Sequence, residues 1–285
     1  MLRGQVYTDA AARRTLRRRL LRWYSAEKRD LPWRRTNDPY AVLVSEVMLQ
    51  QTQVSRVMPA YTAFLGRFPT LASLARASLG DVLRAWSGLG YNRRARDLHR
   101  SARACPDGLP TGRTALDALP GIGAYTAGAV ACFAHGERVA FADTNVRRVL
   151  GRIVLGRVAT EREAVAIDGE LMPRDAATWH HALMDVGATV CRARAPSCGA
   201  CPVAPICRGR YAVVIAPKRR QAAFATSDRR LRGRIVALLR HRDMSLPRLR
   251  RRISDEPHER VDRLVIALAH EGLVQRRGTS IGLPR

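Results

Sequence analysis

The chain has 285 residues, 46% of them hydrophobic, six cysteines and a formal charge of +26. That apolar content excludes a disordered chain, and no run approaches the roughly 20 apolar residues of a membrane span. The start, MLRGQVYTDAAARR, lacks the apolar stretch of a secretory signal, so the sequence reads as a protein of the cytoplasm. A positive surplus this large makes a polyanion the default partner, nucleic acid first. Arginine carries nearly all of it, since only Lys28 and Lys218 are lysine.

Helical signals dominate up to about residue 210. Asp38 and Pro39 form an N-cap and first-turn pair that opens a helix to about Phe64. Short helices follow over 69–77 and 79–87, the second closed by Gly88, and residues 92–104 continue the pattern. Leu116 to Leu119, Pro120-Gly121-Ile122-Gly123, and Ala124 to His135 then read as helix, hairpin, helix. Asp143 caps a helix to about Ile153, and helices over 161–172 and 176–190 complete an all-α body. The domain plan is a helical body over 1–190, a cysteine loop over 191–208, a linker over 209–226 and a small domain over 227–285. In that small domain Ser227 caps a helix to His241, Ser245 caps one to Ile253, and Pro257 to Gly272 is a third. Two short apolar segments around Gly278 read as a β-hairpin, which makes the domain winged-helix-like. Its apolar spacing leaves DNA contact and protein contact both open.

Four constellations carry chemistry. Cys191, Cys198, Cys201 and Cys207 are spaced C-x6-C-x2-C-x5-C. Clustered thiols in an intracellular chain point to a metal rather than disulfides, and this spacing suits an iron–sulfur cluster or zinc alike. Cys105 and Cys132 sit in helical patterns and read as small core residues. Gly121 and Gly123 let the hairpin turn tightly and aim N–H groups from a helix N-terminus, a natural phosphate seat, although an ordinary helix–helix turn has the same pattern. Glu46 lies four residues after Val42 and three after Leu43, on or beside an apolar stripe. Burial there would raise its pKa and make it a general acid, whereas a position at the stripe's edge would leave it reaching water or an arginine. Asp143 reads as a helix cap, and a capping carboxylate on a positive helix end favours its anionic form. One protonated and one anionic carboxyl is a pairing that breaks a C–N bond at a sugar.

Seven linked motifs occur in order: LPWR (31–34), SEVMLQQTQV (45–54), GLGY (88–91), LPGIGAYTAGAV (119–130), DTNVRRVL (143–150), MDVGATVC (184–191) and the cysteine loop. Together, over about residues 18–208, they resemble the MutY-type adenine glycosylases of the helix-hairpin-helix superfamily. The resemblance implies an all-α helix-hairpin-helix DNA glycosylase fold and a [4Fe–4S] cluster on the four cysteines. The implied partner is double-stranded DNA with a mispaired or damaged base, the implied setting the nucleoid, and a monomer is the default. Glu46 matches the acid that protonates adenine, Asp143 the carboxylate that steadies the sugar cation, and Asn145 a neighbour that holds it. Tyr125 stands where bifunctional relatives carry a Schiff-base lysine, and neither lysine of this chain lies near a motif, so an intact abasic product is expected. Arg34, Leu49 and Asp185 match positions in and around the adenine pocket. Gln51, Thr52, Leu89 and Tyr91 match residues that wedge the duplex near the opposite base, and Gly121 and Gly123 match the hairpin that grips phosphates. One departure is that such enzymes usually carry a C-terminal Nudix-like β-domain that inspects 8-oxoguanine. Residues 227–285 are too short and too helical to be one, and resemble the shorter actinobacterial forms.

Two rival readings remain. A thymine or uracil mismatch glycosylase of the same superfamily can share the tyrosine, the glutamate and the cysteine loop, but MLQQTQV and MDVGA favour adenine. Endonuclease III-type lyases fit less well, given the missing lysine and the presence of Glu46. A regulator that wires a redox-sensing cluster to a winged helix explains the cysteine loop and the C-terminal tail and leaves Glu46, Asp143 and the hairpin without a purpose.

Overall fold

In a computed structural model, residues 9–210 and 226–285 are described, and helices begin where the sequence offers a capping oxygen. Asp9 accepts from the amides of Ala11 and Ala12 and opens α1 (Ala10–Glu27), a helix not among those expected. Its buried residues, Leu16, Leu20 and Tyr24, recur every four positions as one helical face does.

The helix expected from Asp38 to Phe64 is two helices, α2 (Pro39–Leu49) and α3 (Val54–Arg67). Between them Gln51 adopts a left-handed φ of 55°, where no helix can continue. Capping then sets the series that follows: Thr70 and Ser73 form a capping box on α4 (Leu71–Arg76), and Ser78 caps α5 (Leu79–Ala85). Next come α6 (Arg93–Ala104), α7 (Arg113–Asp117) and α8 (Ala124–His135), the last stopped by left-handed Gly136. Asp143 caps α9 (Thr144–Leu155), a Thr160–Glu163 capping box starts α10 (Glu161–Leu171), and Asp175 caps α11 (Ala176–Thr189). The cysteine loop contains two 3-10 turns, Cys198–Ala200 and Ala204–Ile206.

Contacts group these elements into two compact units. One takes Met1–Pro39, Thr111–Asp117 and Ile122–Lys218; the other takes Tyr40–Pro110, Ala118–Gly121 and Arg219–Arg285. The first unit buries Leu16, Phe141, Leu150, Trp179 and Leu183 in one apolar cluster. Within it Trp179 Nε1 donates to Asp168 Oδ1 at 2.7 Å, and His180 Nε2 lies 2.7 Å from Oδ2, so this buried carboxylate has a partner on each oxygen.

The second unit packs Phe64 edge-on against Trp86, ring centres 5.8 Å apart. It also contains the winged-helix-like domain: α12 (Asp228–His241), β1 (Met244–Ser245), α13 (Leu246–Arg252), α14 (His258–His270), β2 (Gln275–Arg277) and β3 (Ser280–Gly282). The hairpin turns at Gly278, φ 58°, and β1 adds to it in the antiparallel order β1-β3-β2. A two-residue strand leaves no alternation to read, so β1 could not be foreseen. The domain docks on α5 through main-chain contact: the Gly80 amide donates to Pro284 O at 2.7 Å, and a Cβ on Gly80 would lie 2.5 Å from that oxygen. The linker expected over 209–226 lies, apart from its two ends, outside the described residues, as does Lys218. No helix among the described residues is long and apolar enough to cross a membrane.

Candidate active site

In the second unit, α2 is buried without a break from Tyr40 to Met48, and Glu46 lies within that run at 6% exposure. The fold therefore places this carboxyl in the interior rather than at a wet edge. Leu49 ends the helix half-buried, and the turn after it is organised by a residue that sequence reasoning missed, Arg94 on α6. Its Nη1 donates to the carbonyls of Val47, Met48 and Gln50 at 2.8, 2.8 and 2.6 Å, which satisfies the open end of α2. Its Nη2 donates to Thr52 Oγ1 at 3.0 Å and to Leu89 O at 3.2 Å. One guanidinium thus joins the turn holding Gln51 and Thr52 to the loop holding Leu89 and Tyr91. Burial lowers its pKa to about 10, and it stacks 5.5 Å from the ring centre of Tyr91. Tyr91 has a left-handed φ of 46° and its side chain is 38% exposed. Backbone strain at both Gln51 and Tyr91 is the kind that persists where function holds it.

In the first unit, Asp143 Oδ1 accepts from the amides of Asn145 and Val146 at 2.9 and 2.7 Å, and Asn145 Nδ2 donates to Oδ2 at 2.7 Å. The chain continues: Arg148 Nη2 donates to Asn145 Oδ1 at 2.7 Å and to Gly187 O at 2.6 Å, while its Nε donates to Cys191 O at 2.6 Å. Hydrogen bonds therefore link the carboxylate to the cysteine loop through a second arginine with no obvious signal in the sequence. Asp185 is fully buried at 0% beside Arg34 at 9%, joined by two bonds of 2.8 Å, and Arg29 adds its amide at 3.0 Å and its Nε at 2.6 Å. Burial alone would raise the Asp185 carboxyl, but these donors and the two positive charges bring it below the usual carboxylate range. Tyr125 packs edge-on against Phe141, ring centres 5.6 Å apart.

The turn between α7 and α8 needs glycine at 121, which has φ 73° and where a Cβ would meet the Asp97 Cβ at 2.6 Å. Gly123 is the exposed N-cap of α8 and brings no side-chain cap to the helix start.

Cys191, Cys198, Cys201 and Cys207 all line one small cavity, otherwise walled largely by valines and Ile153. Buried Arg152 donates to Cys191 Sγ at 3.3 Å and to the carbonyl of Arg192 at 2.8 Å, fixing the loop's entry. Among the described residues no three such side chains converge as they would on a single ion.

Residues 44–172 match the HhH-GPD superfamily of base excision DNA repair proteins. The adenine DNA glycosylase of Mycolicibacterium smegmatis is 44% identical over 272 residues, covering 90% of this chain and 92% of that protein. The chain belongs to the adenine DNA glycosylase family. A second member, from Mycobacterium tuberculosis, is 44% identical over 243 residues, 80% of each chain. The human adenine DNA glycosylase is 40% identical over 73% of this chain, which spans 42% of the human protein. A solved thermostable thymine-DNA glycosylase shares the fold with a TM-score of 0.66 and 28% identity, over 71% of this chain and 99% of that one. Like other members of the adenine DNA glycosylase family, the chain carries the helix-hairpin-helix element that gives the superfamily its description.

Proposed function

We propose that this chain is a monofunctional DNA glycosylase that removes adenine standing opposite 8-oxoguanine or guanine and leaves the abasic strand intact. The observation that carries this is Glu46, a carboxyl buried at 6% exposure in the middle of an apolar helix, in a chain 44% identical over most of its length to an adenine DNA glycosylase. A buried carboxyl is suited to delivering a proton near neutral pH. In the proposed reaction the adenine leaves the stack, at a cost of a few kcal/mol. Glu46 protonates N7, the C–N bond breaks with its electron pair passing to the base, and Asp143 steadies the sugar cation until water adds at C1′. Asn145 holds Asp143 for that role, and Arg34, braced by Asp185, and Leu49 are each proposed to bind adenine. Gln51, Thr52, Leu89 and Tyr91 wedge the duplex, while the amides around Gly121 and Gly123 seat a phosphate.

The lysines support the absence of lyase chemistry: Lys28 caps the C-terminal end of α1, and by the family resemblance Tyr125 stands where bifunctional relatives carry the attacking lysine. The four cysteines would hold a [4Fe–4S] cluster, which supplies structural rigidity to the loop when bound. The apolar cavity that all four line supports this reading, since such a cluster is held by four thiolates. Equal amounts of iron and inorganic sulfide in the purified chain are expected; bound zinc instead would contradict it. The protein is proposed to act as a monomer on duplex DNA at the nucleoid.

Glu46→Gln tests the assignment, since it keeps the side chain's shape and removes the proton. Adenine release should fall on the order of a thousandfold, with duplex binding held within about threefold. Release near the wild-type rate would sink the mechanism. Borohydride added during turnover should trap no DNA adduct in high yield, and a trapped adduct would reveal an attacking amine.

A further inference from the structure

Within the second unit, the loops holding Gln51 and Tyr91 form one wall of an open groove of about 1000 Å³, and α12 with the end of α14 forms the other. Among the described residues its lining includes seven arginines and no acidic side chain. Carboxylates behind the lining offset part of that charge: Glu271 lies between Arg93 and Arg232, and Asp255 between Arg230 and Arg234. Each carboxylate serves two guanidiniums, so a positive surplus remains. Guanidiniums in this density match phosphate oxygens better than any neutral partner.

One arginine from each wall meets the exposed ring of Tyr91. Arg229 of α12 donates from Nη1 to the Tyr91 hydroxyl at 2.9 Å and lies 5.7 Å from the ring centre, while Arg94 lies 5.5 Å from it. An exposed aromatic ring held at the edge of an arginine-lined groove has the composition of a strand site: cations track the backbone and a base stacks on the ring. An acidic protein would explain the arginines but not the solvent-facing tyrosine they fix in place.

We propose that this groove seats the phosphodiester backbone of one DNA strand, and that Arg229 positions Tyr91 to stack on its bases. The small C-terminal domain is then part of the DNA interface. The proposal rests on the reading above in taking DNA as the partner and Tyr91 as a residue that meets its bases.

Salt titration of binding tests it, using the full chain and a duplex with 8-oxoguanine opposite a 2′-fluorinated adenine nucleotide that resists release. Arg229→Ala/Arg234→Ala should lower the slope of log affinity against log salt by about 1.8, since each lost phosphate contact removes about 0.9. Arg229→Lys keeps the charge and should keep the slope. Tyr91→Ala should weaken binding roughly tenfold with the slope unchanged, as loss of stacking requires. Arg56→Ala, on the opposite wall, guards against a double variant that fails to fold, and should lower the slope by about 0.9. An unchanged slope in both arginine variants would overturn the proposal and assign the groove to an acidic protein. The slope is read without chemistry, so a chain that shows these changes yet releases no adenine sinks the glycosylase reading and leaves the groove standing.

Discussion

Asp143 caps α9, and the bonds that satisfy the helix end also aim the carboxylate: two amides fix one oxygen and Asn145 fixes the other. Asn145 has room only because residue 187 is glycine, since a Cβ there would lie 2.5 Å from the Asn145 Cβ. Gly187→Ala should improve local helix propensity and still displace Asn145. Adenine release is expected to fall by about ten- to a hundredfold, with overpacking costing about 1–3 kcal/mol of stability, measured by single-turnover kinetics below the melting transition beside a melting curve. A wild-type rate would show that Asn145 does not hold the carboxylate for catalysis. The sequence exposed Asp143 and Asn145 because a cap followed by a helix is a local pattern. Arg148, which completes the network, was not legible, because in a chain with 50 basic residues one more arginine carries no signal until its partners are seen.

Many helix starts were legible, since caps at Ser78, Asp143, Thr160 and Ser227 act on their own next turn, whereas α1 and the start of α3 were missed. The break between α2 and α3 was not: it lacks glycine or proline, and the group that satisfies the freed carbonyls, Arg94, comes from another helix. The joining of α14 to α6 is likewise tertiary. Glu271 bonds Arg93 at 2.8 Å and also Arg232, and Arg96 donates to its carbonyl at 2.6 Å. The Arg93 hydrogen bond, aided by Arg232 and opposed by burial, lowers the Glu271 carboxyl from 4.5 to about 2. A depressed carboxylate stabilises the fold fully above its unfolded value, and that contribution is lost as pH falls through the folded value. Glu271→Gln should therefore cost on the order of 2 kcal/mol at pH 7, with the gap to wild type narrowing below about pH 4. Equal melting midpoints at neutral pH would contradict this ion-pair account.

The excess of arginine and the arginine-lined groove favour a polyanion as the proposed partner. The first unit holds Asp143 and the cysteine loop; the second holds buried Glu46, the loops of Gln51 and Tyr91, and the winged-helix-like domain. Ordered motifs over 18–208 made the family legible, because their residues are tied to chemistry rather than to packing. What the C-terminal domain does was not legible, since its helices encode only their own small core, and its meaning depends on the loop it faces. The most direct test of adenine excision is single-turnover base release from duplexes holding A opposite 8-oxoguanine, A opposite G, and T or U opposite G. Fast adenine loss, best opposite 8-oxoguanine, is the expected result; release of T or U with adenine untouched, or release of no base at all, would contradict it.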